Sequence, residues 1–318
     1  MATLVANTRT INIEGGTSLV QWRRLGETAF KPGPPLVNGR AKLIMLEPGV
    51  TYEVLANGVL PQAVTTRPEA VPKLPGGRVL EADPTTFSSL LSGLLPGDTL
   101  RLRGGTYQAV GPSSFIVGAS GAEQNYITIE AYPGEEPVFT SAKEPALAWS
   151  QFAGPVWSTI LPMPALKWTA FCIWEGDRFL WRYSSLEYLQ ALRDKDGKPG
   201  GVAGGFYHNG NTLFIRTVDD GSPVGRELHI SYDTGASYSG AKARLLVLQG
   251  SYLHVRGLKF KWSYESITMG GDANIVEDCD AYACHHLVRT RSASRGLVRN
   301  SQCDGGPGYT AYMRQTYN

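Results

Sequence analysis

Three segments near the end of the chain repeat in step. They are Leu253-His-Val255-Arg-Gly257-Leu258-Lys-Phe260, Asn274-Ile-Val276-Glu-Asp278-Cys279-Asp-Ala281 and Gly296-Leu-Val298-Arg-Asn300-Ser301-Gln-Cys303, spaced by 21 and then 22 residues. A fixed period of this size means one structural unit per repeat, each burying its apolar face against the next. Val255, Val276 and Val298 make one inward column, and Leu258/Cys279/Ser301 and Phe260/Ala281/Cys303 make two more. The first two columns lie three residues apart, which breaks the two-residue alternation of a strand, so the backbone must bend between them. Gly257, Asp278 and Asn300 stand at that bend, and all three are types that tolerate a left-handed turn. Stacking at about 4.8 Å sets three outward rows: Arg256/Glu277/Arg299, Lys259/Asp280/Gln302 and Lys261/Tyr282/Asp304. The first row alternates in sign. It reads either as a structural ladder, worth little per exposed pair, or as a carboxylate and guanidinium pair on a substrate groove.

Elsewhere helical periodicity is nearly absent, and short β-branched and aromatic runs alternate with Gly, Pro, Asn and Asp clusters, the pattern of strands and turns. The 37 glycines, 20 prolines and only 18% charged residues fit a folded, turn-rich β chain. Residues 1–68 hold alternating runs and the phrase Leu46-Glu-Pro-Gly-Val-Thr-Tyr52-Glu-Val54. This phrase resembles the strand-crossing segment of fibronectin type III domains, which implies a small β-sandwich-like domain whose tyrosine packs over the corner. A Pro/Gly-rich stretch, 69–77, reads as a linker. From Arg78 onward come Leu95-Pro-Gly-Asp-Thr-Leu-Arg-Leu102-Arg-Gly-Gly-Thr-Tyr107 and Tyr126-Ile-Thr-Ile-Glu-Ala-Tyr-Pro-Gly-Glu-Glu-Pro-Val-Phe139. In order and content these resemble the opening rungs of right-handed parallel β-helix proteins of the pectate-lyase-like superfamily. The expected fold class is therefore all-β: a right-handed parallel β-helix over 78–318, preceded by a small β-sandwich-like domain and carrying an inserted α+β segment.

That insertion, about 141–243, does not obey the coil period. Ser185-Leu-Glu-Tyr-Leu-Gln-Ala-Leu-Arg193 reads as a short helix capped by Ser184 or Ser185. Phe206 to Arg216 reads as a hairpin with Asn209-Gly210 as its turn signal. Phe206, Tyr207, Thr212 to Arg216, Asp220, Gly221 and Pro223 are similar to insertions of carbohydrate-active β-helix proteins. Trp149, Trp157, Trp168, Trp174 and Trp181 all fall here. Flat amphipathic rings suit the apolar face of a sugar, and they serve equally well as the insertion's own core.

The resemblance implies a protein that engages a polysaccharide or cell-surface glycan along the helix side, either as a lyase or as a glycoside hydrolase. The alternative is a phage tail-spike or other surface-assembly component without catalysis. Family lyases often hold calcium with acidic side chains, so Ca2+ is the cofactor that the resemblance implies; no metal ligand is assignable in this sequence. Both reactions need charged groups from neighbouring coils on one face. The candidates are Asp280, His286, Arg289, Lys259 and Asp304, with Asp280 pairing Lys259 or Arg289 and the histidine moving protons near neutral pH. Trp168, Trp174, Trp181 and Tyr282 are the candidate sugar-binding residues. Lys+Arg 30 against Asp+Glu 28 gives a net charge of +2, which excludes the basic footprint of a nucleic-acid binder. The four cysteines form no CxxC pair or zinc pattern. No stretch approaches the ~18 apolar residues of a membrane span, and the first residues lack a secretory signal pattern. An extracellular or virion-associated location is expected all the same. The sequence ends in the middle of another apparent coil, so more coils, a covering partner or a homotrimeric assembly is expected at that edge.

Overall fold

In the computed structural model the described residues are 2–6, 10–43, 46–47, 49–56, 58, 60–66, 71, 74–109, 113–144, 146–161, 171–194, 196–202, 204–232, 244–291, 293, 295–304 and 309–312, with backbone alone at 113–114, 143, 171, 231–232 and 309–312. Residues 69, 70, 72 and 73 of the expected linker, and Trp168, lie outside this set.

From Thr99 the chain visits three parallel sheets in rotation, after Val79–Ala82 has opened the first. The first sheet contains Val79–Ala82, Thr99–Leu102, Ile127–Ala131, Leu253–Arg256, Ile275–Glu277 and Leu297–Arg299; the second contains Gly105–Gln108, Pro137–Thr140, Lys259–Lys261, Asp280–Tyr282 and Gln302–Asp304. The third contains Ser113–Val117, Arg244–Leu248, Glu265–Met269, His286–Thr290 and Tyr309–Tyr312. Every pairing within the three sheets is parallel, and the registers match the repeat: Val255 pairs Val276 and then Val298, while Lys259 pairs Asp280 and then Gln302. Gly257, Asp278 and Asn300 stand at the bend with φ of 69°, 53° and 52°. This is the left-handed region in which a short polar side chain or none at all costs least.

The inward columns fill the space between the sheets. Tyr107, Phe139 and Phe260 stack face to face, with centroids 4.8 and 5.4 Å apart. The short helix Phe87–Leu90 drives Phe87 edge-on into Tyr107, Phe115 and Phe139, plugging the first coil. Further along, the same column shrinks to Ala281 and Cys303. Cys172, Cys279 and Cys284 are buried and Cys303 half-buried, and none of the four is in a disulfide. Burial pushes the Cys279 and Cys303 thiols up to about 12, and that of Cys284 upward as well.

The alternating-sign row is longer than the repeat indicated, and its middle is not exposed. By register it runs Glu81, Arg101, Glu130, Arg256, Glu277, Arg299 up the first sheet. Glu130 is 2% exposed and takes Arg101 at 2.8 Å and Arg256 at 2.6 Å. Glu277 is fully buried between His254 and Arg299, each at 3.0 Å. The Glu130 and Glu277 carboxylates are out of water, so this part of the ladder is a buried network in which losing one partner strands a charge.

Two antiparallel sheets make up the N-terminal unit. Thr3–Ala6, Ile11–Glu14 and Arg40–Leu43 form one; Lys31–Pro32, Gln21–Arg24, Thr51–Leu55 and Gln62–Thr65 form the other. Alternating residues of both close on a core that includes Ile11, Ile13, Leu43, Tyr52 and Val54. Tyr52 packs edge-on against Trp22, and its hydroxyl accepts the Glu47 N–H at 2.8 Å.

After Thr140 the chain leaves the second sheet, builds an eight-stranded sheet of its own, and rejoins the coils at Arg244. The helix Leu186–Ala191 lies in this segment; the Ser185 hydroxyl caps it by accepting the Tyr188 N–H at 3.1 Å. The hairpin Gly205–Asn209/Thr212–Arg216 turns at Gly210 and Asn211. No helix among the described residues is long and apolar enough to cross a membrane.

Two outcomes are expected. Arg256→Met should lower stability by about 3–5 kcal/mol, because it leaves Glu130 short of a buried partner; urea unfolding that shows under 1 kcal/mol would contradict a buried network. An aromatic disulfide reagent at pH 8 should find almost no reactive thiol in the native protein and four after denaturation. Rapid labelling of two or more in the native state would contradict the burial described.

Candidate functional site

The outer face of the second sheet is a floor between two walls. Two of its rows are those set by the repeat, Lys259/Asp280/Gln302 and Lys261/Tyr282/Asp304. The N-terminal unit stands on one side: Lys42 Nζ lies 2.7 Å from Asp280 Oδ1, and the Thr10 hydroxyl donates to buried Asp278 at 3.0 Å. The insertion stands on the other. The tip of its hairpin Phe171–Glu175/Arg178–Arg182 reaches the floor, where Tyr282 Oη donates to Asp177 at 2.9 Å and the Trp262 indole N–H donates to the Gly176 carbonyl at 3.2 Å. The Asp177 carboxylate favours the neutral phenol and, with partial burial and the Asp304 charge, holds the Tyr282 pKa above its ordinary value. Lys261 Nζ lies over both Trp262 and Tyr282, 5.2 and 5.8 Å from the ring centres.

The five charged candidates divide between two sheets. Lys259, Asp280 and Asp304 are on the second, and His286 and Arg289 are on the third. Neither expected pair with Asp280 forms. Its carboxylate is held by Lys42 instead, Lys259 reaches Glu136 at 2.6 Å, and Arg289 reaches Glu265 at 2.5 Å. Glu265 is fully buried, with Arg291 at 3.3 Å and Arg244 at 3.6 Å as further partners, so Arg289 belongs to an ion network on the third sheet. His286 is buried against His285 and Tyr264. Asp304 is exposed at the edge of the floor.

Among the aromatic candidates, Trp181 is 49% and Tyr282 40% exposed, while Trp174 is fully buried. Trp174 packs with Cys172 and Ala283 where the insertion meets the coils, and a ring enclosed in that way offers no face to a ligand. Ring contacts run from Trp181 through Phe179 to His285 and Tyr264.

Beyond Trp262 lies a group that reading the sequence did not single out. His229 is 1% exposed and stacks on Trp262 with centroids 3.4 Å apart and planes at 16°. Its Nδ1 is 3.1 Å from Glu144 and its Nε2 2.8 Å from Glu227, and both glutamates are 64% exposed. The placement follows from strand register. Ala142–Lys143 pairs antiparallel with Leu228–Tyr232, Lys143 lying opposite Ile230, so one further step sets Glu144 opposite His229. Glu227 is two residues before His229 and shares its face of the strand. Among the described side chains, no lysine or arginine lies within 4 Å of either carboxylate; neighbouring Arg226 turns instead to Glu175 and Asp219. The two glutamates line a hollow of about 510 Å³ together with Trp149. Glu227-x-His229 was visible as spacing, but its pairing with a residue 83 positions earlier was not.

Glu144, Glu227 and His229 offer atoms within 4.8 Å of one another. One imidazole and two carboxylates do not fit calcium, which takes about 6–8 oxygens, and no calcium chemistry is derived from them.

No family model matches the chain, and the curated proteins contain no match. Two solved structures are similar to it. One is a complex of XylC with xylose, at 14% identity and a TM-score of 0.47, covering 66% of this chain and 41% of that one. The other is a glycoside hydrolase, at 11% identity and a TM-score of 0.39, covering 71% of this chain and 65% of that one. The chain thus spans less than two thirds of either protein.

Asp177→Asn should move the Tyr282 phenol titration to lower pH, because a carboxylate acceptor that favours the neutral form is lost. Ultraviolet difference titration against the parent checks this; an unmoved midpoint would remove Asp177 from contact with Tyr282.

Proposed function

We propose that this chain is a right-handed parallel β-helix protein that binds a polysaccharide across the outer face of its second sheet and hydrolyses it with retention of configuration. Glu144 and Glu227 carry the chemistry. The observation on which this rests is their spacing: both present carboxylate oxygens within 4.8 Å of each other beside a hollow that Trp149 helps to line. Retaining glycosidases set their two carboxyl groups about 5–5.5 Å apart, and inverting ones about 6.5–9.5 Å apart to admit a water.

His229 gives the two glutamates different roles. The two carboxyl groups meet different ring nitrogens, Glu144 at Nδ1 and Glu227 at Nε2. Glu227, at the shorter contact of 2.8 Å, is assigned as the acceptor and the nucleophile, and Glu144 as the acid. The Glu227 carboxylate attacks the anomeric carbon while the Glu144 proton passes to the departing glycosidic oxygen, breaking that C–O bond. Water then adds to the anomeric carbon of the ester and gives its proton back to Glu144, which frees Glu227 and leaves a hemiacetal of the original configuration. Trp149 in the hollow and Tyr282 and Trp181 farther out are the surfaces for sugar rings. In this proposal Asp280, Lys259, His286 and Arg289 keep the ion pairs and packing described above and do not touch the reacting atoms.

The test is a panel of polysaccharides incubated with the full chain, with reducing ends measured and the product anomer followed by NMR. Glu227→Gln and Glu144→Gln should each cut turnover by about 10²–10⁴-fold and leave the fold unchanged. Hydrolysis that survives both substitutions, an inverted product, or no new reducing ends from any polymer would overturn the proposal.

A further inference from the structure

Two hollows lie where the N-terminal unit meets the floor, and they join at Lys42 and Gln302. The larger, of about 690 Å³, is lined from above by Asn12, Glu14, Asn38 and Arg40 and from below by Gln302 and Asp304. The other, of about 520 Å³, adds Trp22 on the roof and Lys259 and Glu136 on the floor. The Lys42–Asp280 ion pair spans the junction, its two side chains only 13% and 19% exposed.

The larger hollow differs from most charged surfaces of this protein. Elsewhere clustered carboxylates and guanidiniums pair with one another, as along the buried column of the first sheet. Here the six side chains come from two separately folded walls, and among the described residues none makes a hydrogen bond or ion pair. Glu14 and Arg40 lie directly opposite on paired strands and still do not bond. They present two amide groups from asparagine, one from glutamine, two carboxylates and one guanidinium. Such a set of donors and acceptors, with no excess of positive charge, matches a ligand rich in hydroxyl groups and without ionised groups. A polyanion would call for a surplus of cations.

We infer that the N-terminal unit is the roof of an extended binding groove for an uncharged polysaccharide chain. The groove runs from the larger hollow across the strands, along the row Asp304, Tyr282 and Lys261, which ends beside Trp262. Asp304 to Lys261 is two coil spacings, about 10 Å, long enough for two sugar rings of a polymer. Ligand sites at the junction of two folded units are a common arrangement. The inference rests on the polysaccharide-binding reading above and adds the class of polymer and a binding role for the first domain.

Affinity electrophoresis of the full chain through gels containing hydroxyethylcellulose, galactomannan, dextran or polygalacturonate tests it. At least one neutral polymer should retard the protein, and polygalacturonate should not. A Glu14→Ala/Arg40→Ala double variant, and separately Gln302→Ala on the opposite wall, should weaken retardation about tenfold with melting temperature unchanged. Glu227→Gln should keep the retardation of the parent while losing cleavage, so failure of the catalytic reading and failure of the groove give different patterns. Retardation by polygalacturonate alone, by no polymer, or to an equal degree for parent and wall variants overturns the inference.

Discussion

Hydrogen bonding between successive coils in fixed parallel register is the constraint on which the rest of this molecule depends. Because each strand meets its neighbour at the same residue of the repeat, one choice of side chain is copied up the sheet as a column. Inward, that produces the Tyr107, Phe139, Phe260 stack and the valine column. Outward, it produces a line of alternating charge in which carboxylates survive without water because a guanidinium sits one coil above or below. A slip of one residue would turn the outward charges inward and break the column and the core at once.

The floor of the candidate site inherits the same order. Lys261, Tyr282 and Asp304 lie in line because the sheet places them there; the two walls then decide what each can do. Lys42 draws Asp280 into an ion pair, and Asp177 fixes the Tyr282 hydroxyl. The glutamate pair arises differently, from one antiparallel pairing inside the insertion whose register sets Glu144 opposite a histidine that the coils hold in place through Trp262.

Much of the coil architecture was legible in the sequence, because a repeat exposes its own register. The inward valines, the left-handed bend at Gly257, Asp278 and Asn300, and the outward rows follow from two spacings. What covers a row was not legible. Glu277 and Arg256 look like surface charges in a strand of three or four residues, and only tertiary packing reveals that they are buried. The same limit applies to Trp174 and Trp181, seven residues apart in one hairpin, one fully enclosed and the other half exposed. Glu144 and His229 were beyond reach for another reason: nothing in an irregular segment announces which strands will pair.

The point at which the insertion departs has a consequence for how such a chain folds. It leaves after Thr140 and returns at Arg244, in consecutive strands of a single coil. To the coil it is therefore one long corner. Lengthening a corner from a handful of residues to about a hundred raises the entropic cost of closing it by only about 2–3 kcal/mol, and the insertion's own core, built on Ile173, Leu180, Phe206 and Ile230, offsets that. A corner of this kind can gain or lose a whole working surface while the coils beneath keep their register.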